Sequence, residues 1–220
     1  MSWLNDINWD QLVTALNETV FMSLVSLVFA IIIGLFIGLL LFATQSGGLI
    51  ENRFINRIAN ICVNILRAVP FIILMIVLIP LTKMLTGSML GAKAAIPSLI
   101  FAAAPFYARM CCIAFTEVDK GTIEASKAMG ASNWQIITKV LLPESLPALV
   151  SGACVTGINL ISYTAMAGAI GSGGLGNLAY QYGYVRRNDA LLYLATTLIT
   201  LFVLGVQWLS DYLGKKLDKR

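Results

Sequence analysis

Gly171-Ser172-Gly173-Gly174-Leu175-Gly176 has the G-x-G-x-x-G spacing with which a tight turn lets backbone amides cradle a dinucleotide pyrophosphate. That chemistry needs a strand before the glycines and a helix after them. Here the apolar run Leu146 to Ile170 precedes them, and the glycines read as punctuation of a re-entrant turn. A G-x-x-x-x-G-K-[ST] loop occurs nowhere, so the chain has no P-loop for ATP. Histidine is absent, which removes the commonest neutral-pH acid–base group and the commonest metal ligand. Cys62, Cys111, Cys112 and Cys154 lie in or beside apolar runs without paired metal-ligand spacing, and read as small hydrophobes. No nucleophile has an evident base and no apolar run holds an Asp or Glu, so a membrane enzyme is the weakest reading. What remains is a polar island from Thr122 to Pro143 between apolar runs, and the work it can do is mechanical.

The island reads as two short helices about a glycine hinge. Thr122 is placed to cap the first, and Gly130 to end it in the left-handed conformation. Ser132 and Gln135 form an S-x-x-Q capping box for the second. Pro143 stops that helix, and Ser145 with Pro147 restarts the chain into the next apolar run. Ala125, Ala128 and Met129 give the first helix a small apolar face; Ile136, Ile137, Val140 and Leu141 give the second a larger one. The reading as a DNA-binding helix-turn-helix fails on charge, because Glu124 and Glu144 cancel Lys127 and Lys139 where several phosphates would need neutralising. An ordinary helical hairpin and a coupling element that receives force from a soluble partner are the two readings to weigh.

The elements that hold the island are bilayer spans. Of 220 residues 58% are hydrophobic and 12% charged, against about 25% charged in soluble domains. Five runs approach the roughly 20 apolar residues a span requires: Phe21 to Phe42, Ile58 to Thr82, Ala94 to Tyr107, Leu146 to Ile170 and Ala190 to Leu209. Met1 to Leu16 reads as an interfacial lead-in, with Trp3 and Trp9 suited to the headgroup belt. Phe21 to Phe42 does not read as a signal peptide, because it is too long for an apolar h-region and its N-terminal flank is acidic (Asp6, Asp10, Glu18). Gln45 to Leu49 turns the chain, Met84 to Gly91 is a short outer turn, and Pro70 and Pro80 interrupt or end the second span. Arg53 and Arg57 after the first span place the N-terminus outside and the loop at about 111–145 inside. The C-terminus is then inside, and Lys215, Lys216, Lys219 and Arg220 agree; Lys83, Lys93, Arg186 and Arg187 stand against it. The expectation is an all-α polytopic protein, one transmembrane domain over residues 1–220 with five helices, whose net charge of +4 reports contact with membrane lipid and not nucleic acid.

At the island a family resemblance enters. Glu124-Ala125-Ser126, Gly130 and Val140-Leu141-Leu142-Pro143 resemble the EAA loop of bacterial ABC-importer permeases: E-A-A, three residues, G, nine residues, then I-x-L-P. Ser126 and Val140 depart from that pattern and keep its small and β-branched character. Arg67 to Met75, Ile79 to Lys83, Ala103 to Met110 and Gly171 to Tyr184 narrow the resemblance to methionine-importer permeases over nearly the whole chain. The resemblance implies the type I ABC importer fold, with Glu124, Ala125, Ser126, Gly130 and Pro143 coupling to a cytoplasmic ATPase dimer. It implies an extracytoplasmic methionine-binding lipoprotein as a further partner and residence in the bacterial inner membrane. This chain then needs no cofactor of its own, ATP and Mg being bound by the partner.

Asn159, Ser162, Tyr163, Thr164 and Met166 cluster in the fourth span. They read either as a polar path with Met166 as an apolar constriction or as packing between helices, worth about 0.6 kcal/mol each. Carriers driven by protons or sodium use intramembrane carboxylates or broken-helix ion sites, so uphill transport here needs energy from outside the chain. Five spans are few to enclose a path, and a second copy about a two-fold axis is the commonest closed arrangement. The competing functions are the permease of another amino-acid or small-solute importer, and a small channel or structural membrane subunit, which would leave the hinged island without a role.

Overall fold

The computed structural model describes residues 9–217, and among them the chain is helical with no strand. Trp3, Asp6, Lys219 and Arg220 lie outside the described residues. The first helix, α1 (Trp9–Thr44), has 36 residues, or about 54 Å at 1.5 Å per residue, well beyond a hydrocarbon core of about 30 Å. The lead-in expected up to Leu16 is therefore helical from Trp9. Packing explains the difference: Leu12 and Ala15 are buried against Leu175, Leu178, Leu191 and Ala195 instead of lying at a headgroup surface.

Small residues set the main helix pair. Gly34 and Gly38 of α1 meet α5 (Ala92–Thr116) so closely that a Cβ on Gly34 would lie 2.8 Å from the Ala104 carbonyl oxygen, and one on Gly38 2.5 Å from the Cys111 Cβ. α5 extends past the expected end at Tyr107 and carries Pro97 and Pro105 inside it. Arg109 does not end the helix, because its guanidinium donates to the side-chain carbonyls of Asn60 at 3.3 Å and Asn64 at 3.1 Å.

The second span is broken. The chain turns at 45–52, where the Glu51 carboxylate accepts from the Gly47 N–H at 3.1 Å and pairs with Arg53 at 3.2 Å. The Gly47 amide and the Arg53 guanidinium hold the Glu51 carboxyl below its usual range. Asn52 then caps α2 (Arg53–Ala68) by accepting from the Ile55 N–H. α3 (Phe71–Val77) departs from α2 at 105°. Pro70 accounts for the break: it offers no N–H and forces Val69 into the extended region. Pro80 sits in the first turn of α4 (Ile79–Thr86), where a missing N–H costs nothing, and Gly87 ends α4 at φ +75°. The turn expected over Met84 to Gly91 is thus shorter, since α4 runs to Thr86.

After α5 come α6 (Lys120–Ala128), α7 (Asn133–Ile136), a π-helical segment at Ile137–Leu141, and α8 (Leu142–Ala167). A π-helical turn at Gly168–Ser172 leads to α9 (Gly174–Asn177), a second π-helical stretch at Leu178–Val185, and α10 (Asp189–Leu217). Among the described residues four helices are long and apolar enough to cross a membrane: α1, α5, the continuous stretch Asn133–Ser172, and α10 over Asp189–Tyr212. The bent pair α2–α3 makes a fifth when taken as one span. Three apolar clusters hold the helices together. One centres on Met22, Leu99 and Leu160, one on Phe42, Phe115 and Leu141, and one on Leu175, Leu191 and Ala195.

Candidate coupling element and path

The first short helix begins earlier than Thr122. Asp119 is its cap: the Asp119 Oδ1 accepts from the Thr122 N–H at 3.2 Å, and helix α6 starts at Lys120. A carboxylate at that position also complements the positive end of the helix dipole. Ile123 and Ser126 are its buried residues, with the Ser126 hydroxyl donating to the Thr122 carbonyl at 2.8 Å. Glu124, Ala125 and Ala128 face outward and Met129 is 81% exposed. The apolar face expected from Ala125, Ala128 and Met129 is thus an outward face, and Ile123 is the anchor.

Gly130 ends the helix at φ +83°, and its N–H reaches the Lys127 carbonyl while the Ala131 N–H reaches that of Ser126. A Cβ on Gly130 would meet no atom within 4 Å, so backbone conformation alone demands glycine here. Ser132 and Gln135 form the expected capping box: the Ser132 Oγ accepts from the Gln135 N–H at 3.3 Å, and the Gln135 Oε1 accepts from the Ser132 N–H at 2.9 Å. Ile136 and Leu141 are buried among Phe42, Phe115 and Leu149, with Ile137 buried beside them. The Asn133 carboxamide donates to the Leu49 carbonyl at 3.4 Å, which ties the α1–α2 turn to the hinge.

Pro143 does not stop the second helix. The chain stays helical over 133–170, until Gly171 takes φ +101°. A proline cannot donate to the fourth preceding carbonyl, and its ring crowds that carbonyl. The turn before it widens into the π-helical segment, where the Leu142 N–H bonds the Ile137 carbonyl. Ser145 likewise does not cap a new helix; its hydroxyl donates to the Leu141 carbonyl at 2.6 Å, satisfying an acceptor beside the proline. The hinge at Gly130 is therefore joined to α8 without a break. Met129 and Trp134, 81% and 71% exposed on either side of Gly130, form the outward tip of this element.

Asn159, Ser162, Tyr163 and Met166 share one face of α8, at the i, i+3, i+4, i+7 spacing. Ser162 and Met166 are exposed, and Asn159 and Tyr163 half-buried. Tyr163 stacks on Phe71 of α3, ring centroids 4.8 Å apart. Thr164 is not on that face: it is buried and donates to the Ile161 carbonyl. Phe71 was not legible as part of this surface; its only signal in the sequence is the proline before it, which turns α3 across α8.

At the far end of α8, Gly171, Gly173 and Gly174 take φ of +101°, +79° and +77°. The Gly91 N–H donates to the Gly171 carbonyl. The Glu18 carboxylate accepts from the Gly174 N–H at 2.6 Å, and the Thr19 hydroxyl oxygen accepts from the Leu175 N–H at 2.8 Å. A Cβ on Gly173 would run into the Glu18 carboxylate. The glycines serve a turn capped by α1, with no strand before it and no phosphate cradle. Arg186 lies over the Tyr182 ring at 4.4 Å, and Arg187 takes φ +55° in the turn before α10.

The family described as "binding-protein-dependent transport system inner membrane component" matches residues 30–219. The probable D-methionine transport system permease protein MetI of Pasteurella multocida is 47% identical over 212 residues, 96% of this chain and 98% of that protein. The methionine import system permease protein MetP of Bacillus subtilis is 52% identical over 181 residues, 82% of each chain. Among solved structures, an inward-facing conformation of the MetNI methionine ABC transporter superposes with a TM-score of 0.93 at 44% identity, over 95% of this chain and 97% of that one. An amino acid ABC transporter crystallised with histidines shares the fold, with a TM-score of 0.78 at 17% identity over 94% of each chain.

Proposed function

Since this chain belongs to the binding-protein-dependent transport system inner membrane components, we propose that it is the permease subunit of an ATP-driven importer of methionine in its D and L forms. It is a transport subunit and no enzyme, and ATP hydrolysis falls to a partner chain, which binds the ATP and Mg. Two copies pack about a two-fold axis, as isologous dimers do, and enclose the path between them. A methionine-binding lipoprotein delivers cargo at the end where the Glu18-capped turn lies. That end faces outward with the N-terminus, and the Gly130 hinge and C-terminus face the cytoplasm.

The observation that carries this reading is the continuous helix over 133–170, which passes through Pro143 and ends where Gly171 leaves helical geometry. One end carries the hinge with its exposed Met129–Trp134 tip, and the middle carries the face of Asn159, Ser162, Tyr163 and Met166. A displacement applied by the ATPase to Glu124, Ala125, Ser126, Gly130 and Pro143 is delivered along one rigid body to the path. Met166, at the outer end of that face, is the apolar constriction. Nothing on the face is charged, which suits a path that releases what a separate protein has bound.

The test is reconstitution into vesicles with the ATPase and the binding lipoprotein. ATP-dependent accumulation of labelled methionine is expected. Accumulation without any ATPase would overturn the reading, and uptake of a different solute in its place would overturn the substrate.

A further inference from the structure

Helix α2 is amphipathic in the sense opposite to that of a soluble protein's surface helix. The carboxamides of Asn56 and Asn60 are half-buried and that of Asn64 is exposed, and the three line one face. Asn56 donates to the Leu41 carbonyl at 2.8 Å and to the Thr44 hydroxyl at 3.1 Å, Asn60 donates to Asn56, and Asn60 and Asn64 accept from Arg109. Its isoleucines, Ile58, Ile61 and Ile65, are exposed, with Phe54 beside them. Between the two faces, against the end of α1, lies a groove of about 680 Å³ lined by Arg53, Asn56, Arg57, Asn60 and Asn64.

The charge of this groove is not balanced. Glu51, the neighbouring carboxylate, is engaged by the Gly47 N–H, Ser46 and Arg53. Arg57 makes no hydrogen bond or ion pair with any described residue. Arg109 points into the asparagine ladder but meets only neutral amide oxygens there. A groove with a free guanidinium, the unengaged Asn64 amide donor and an adjoining apolar wall fits a ligand that is anionic at one end and apolar at the other. Arginine suits phosphate oxygens because its planar fork donates to two at once.

We propose that this groove binds the phosphate of an anionic phospholipid, with the acyl chains lying along Phe54, Ile58, Ile61 and Ile65. The Asn133–Leu49 bond joins the turn before α2 to the Gly130 hinge, so the lipid stands next to the coupling element and steadies it. The leaflet follows from the reading that the hinge faces the cytoplasm; occupancy does not.

The test uses the complete transporter, delipidated in detergent, titrated with phosphatidylglycerol or phosphatidylcholine and read by native mass spectrometry. Phosphatidylglycerol is expected to be retained at least tenfold more strongly. Arg57→Gln removes that preference, Arg57→Lys keeps part of it, and Ile61→Asn lowers phosphatidylglycerol retention without touching the charge. Equal retention of the two lipids, or unchanged phosphatidylglycerol in both Arg57→Gln and Ile61→Asn, would overturn the proposal. Inorganic phosphate at millimolar concentration is expected to leave the lipid bound; displacement by phosphate alone would overturn the lipid assignment, as would exclusion of all lipid because a second copy covers the face. Detergent binding is read without reference to sidedness, so its failure is separable from failure of the cytoplasmic orientation, which labelling of an Arg57→Cys variant from each side of sealed vesicles reports.

Discussion

The carboxylate of Glu18 accepts the backbone N–H of Gly174 at 2.6 Å across 156 residues of chain. With the Thr19 hydroxyl on the next amide at 2.8 Å, α1 supplies from outside the caps that a glycine-started helix cannot supply itself. Glu18→Ala leaves a partly buried N–H without its acceptor and is expected to cost about 1–3 kcal/mol, seen as a lower unfolding temperature of the assembled transporter. Glu18→Gln keeps an acceptor and should lose less. An unchanged unfolding temperature in Glu18→Ala would mean that the cap contributes nothing.

Gly130 at φ +83° cannot be replaced by proline, whose ring holds φ near about −65°. Gly130→Pro is expected to leave the protein inserted and to abolish methionine-dependent stimulation of the partner's ATPase in vesicles. Gly130→Asn, which tolerates the left-handed region, should retain most of it. Stimulation unchanged in Gly130→Pro would remove the hinge from the mechanism.

Pro143→Ala restores an N–H and relieves the crowding that widens the Ile137–Leu141 turn. That turn is expected to close to α-helix, slowing amide exchange at Val140 to Leu142. Rotation of α7 relative to α8 should follow, lowering transport per ATP while the protein remains folded. Exchange no slower than in the parent would show that the widened turn has another cause.

The turn at 45–52 is expected to respond to acid. The Gly47 amide and Arg53 hold the Glu51 carboxyl below its usual value. A depressed acid stabilises the fold above its unfolded-state pKa, and that contribution is lost as pH falls through the lower, folded value. The exchange protection factor of the Gly47 amide should therefore fall only on the acid side of the ordinary carboxylate range. In Glu51→Gln the factor should be low throughout and flat with pH.

The proposed path face can be mapped with single cysteines. In a background lacking the four native cysteines, Asn159→Cys, Ser162→Cys and Met166→Cys should react with a water-soluble thiol reagent and be slowed by methionine and ATP. Thr164→Cys, on the buried side of α8, should not react. Equal labelling of all four would make this face ordinary helix packing.

Much of the local geometry of the candidate coupling element is legible in the sequence because its signals are local. Gly130 and the Ser132–Gln135 box each act through one or two backbone positions, and the geometry follows from residue type. Asp119 and Thr122, three positions apart, both have cap-forming side chains, and only the helix register decides between them. Pro143 misled for a different reason. A proline in the first turn of a helix and one that breaks a helix look alike in sequence, and the choice depends on whether the preceding turn can widen over a buried Ile136–Leu141 contact. The long-range features left weaker marks. Phe71 against Tyr163, Glu18 against Gly174 and Arg109 against the α2 asparagines join residues far apart in the chain, and no periodicity announces them. The apolar run ends at Tyr107 in the sequence, while α5 continues through Arg109, whose acceptors Asn60 and Asn64 lie on another helix.

The seam where Gly34 and Gly38 meet α5 leaves no room for even a methyl group. Helices in such intimate contact cannot slide past one another without first separating, and nothing in their surroundings would repay the gap. When the transporter alternates, these two must travel as a single beam, and the bending falls to the proline break ahead of α3 and the glycine turn beyond α8. A crosslink between positions on α1 and α5 would leave transport intact, whereas one that bridges either joint would freeze it.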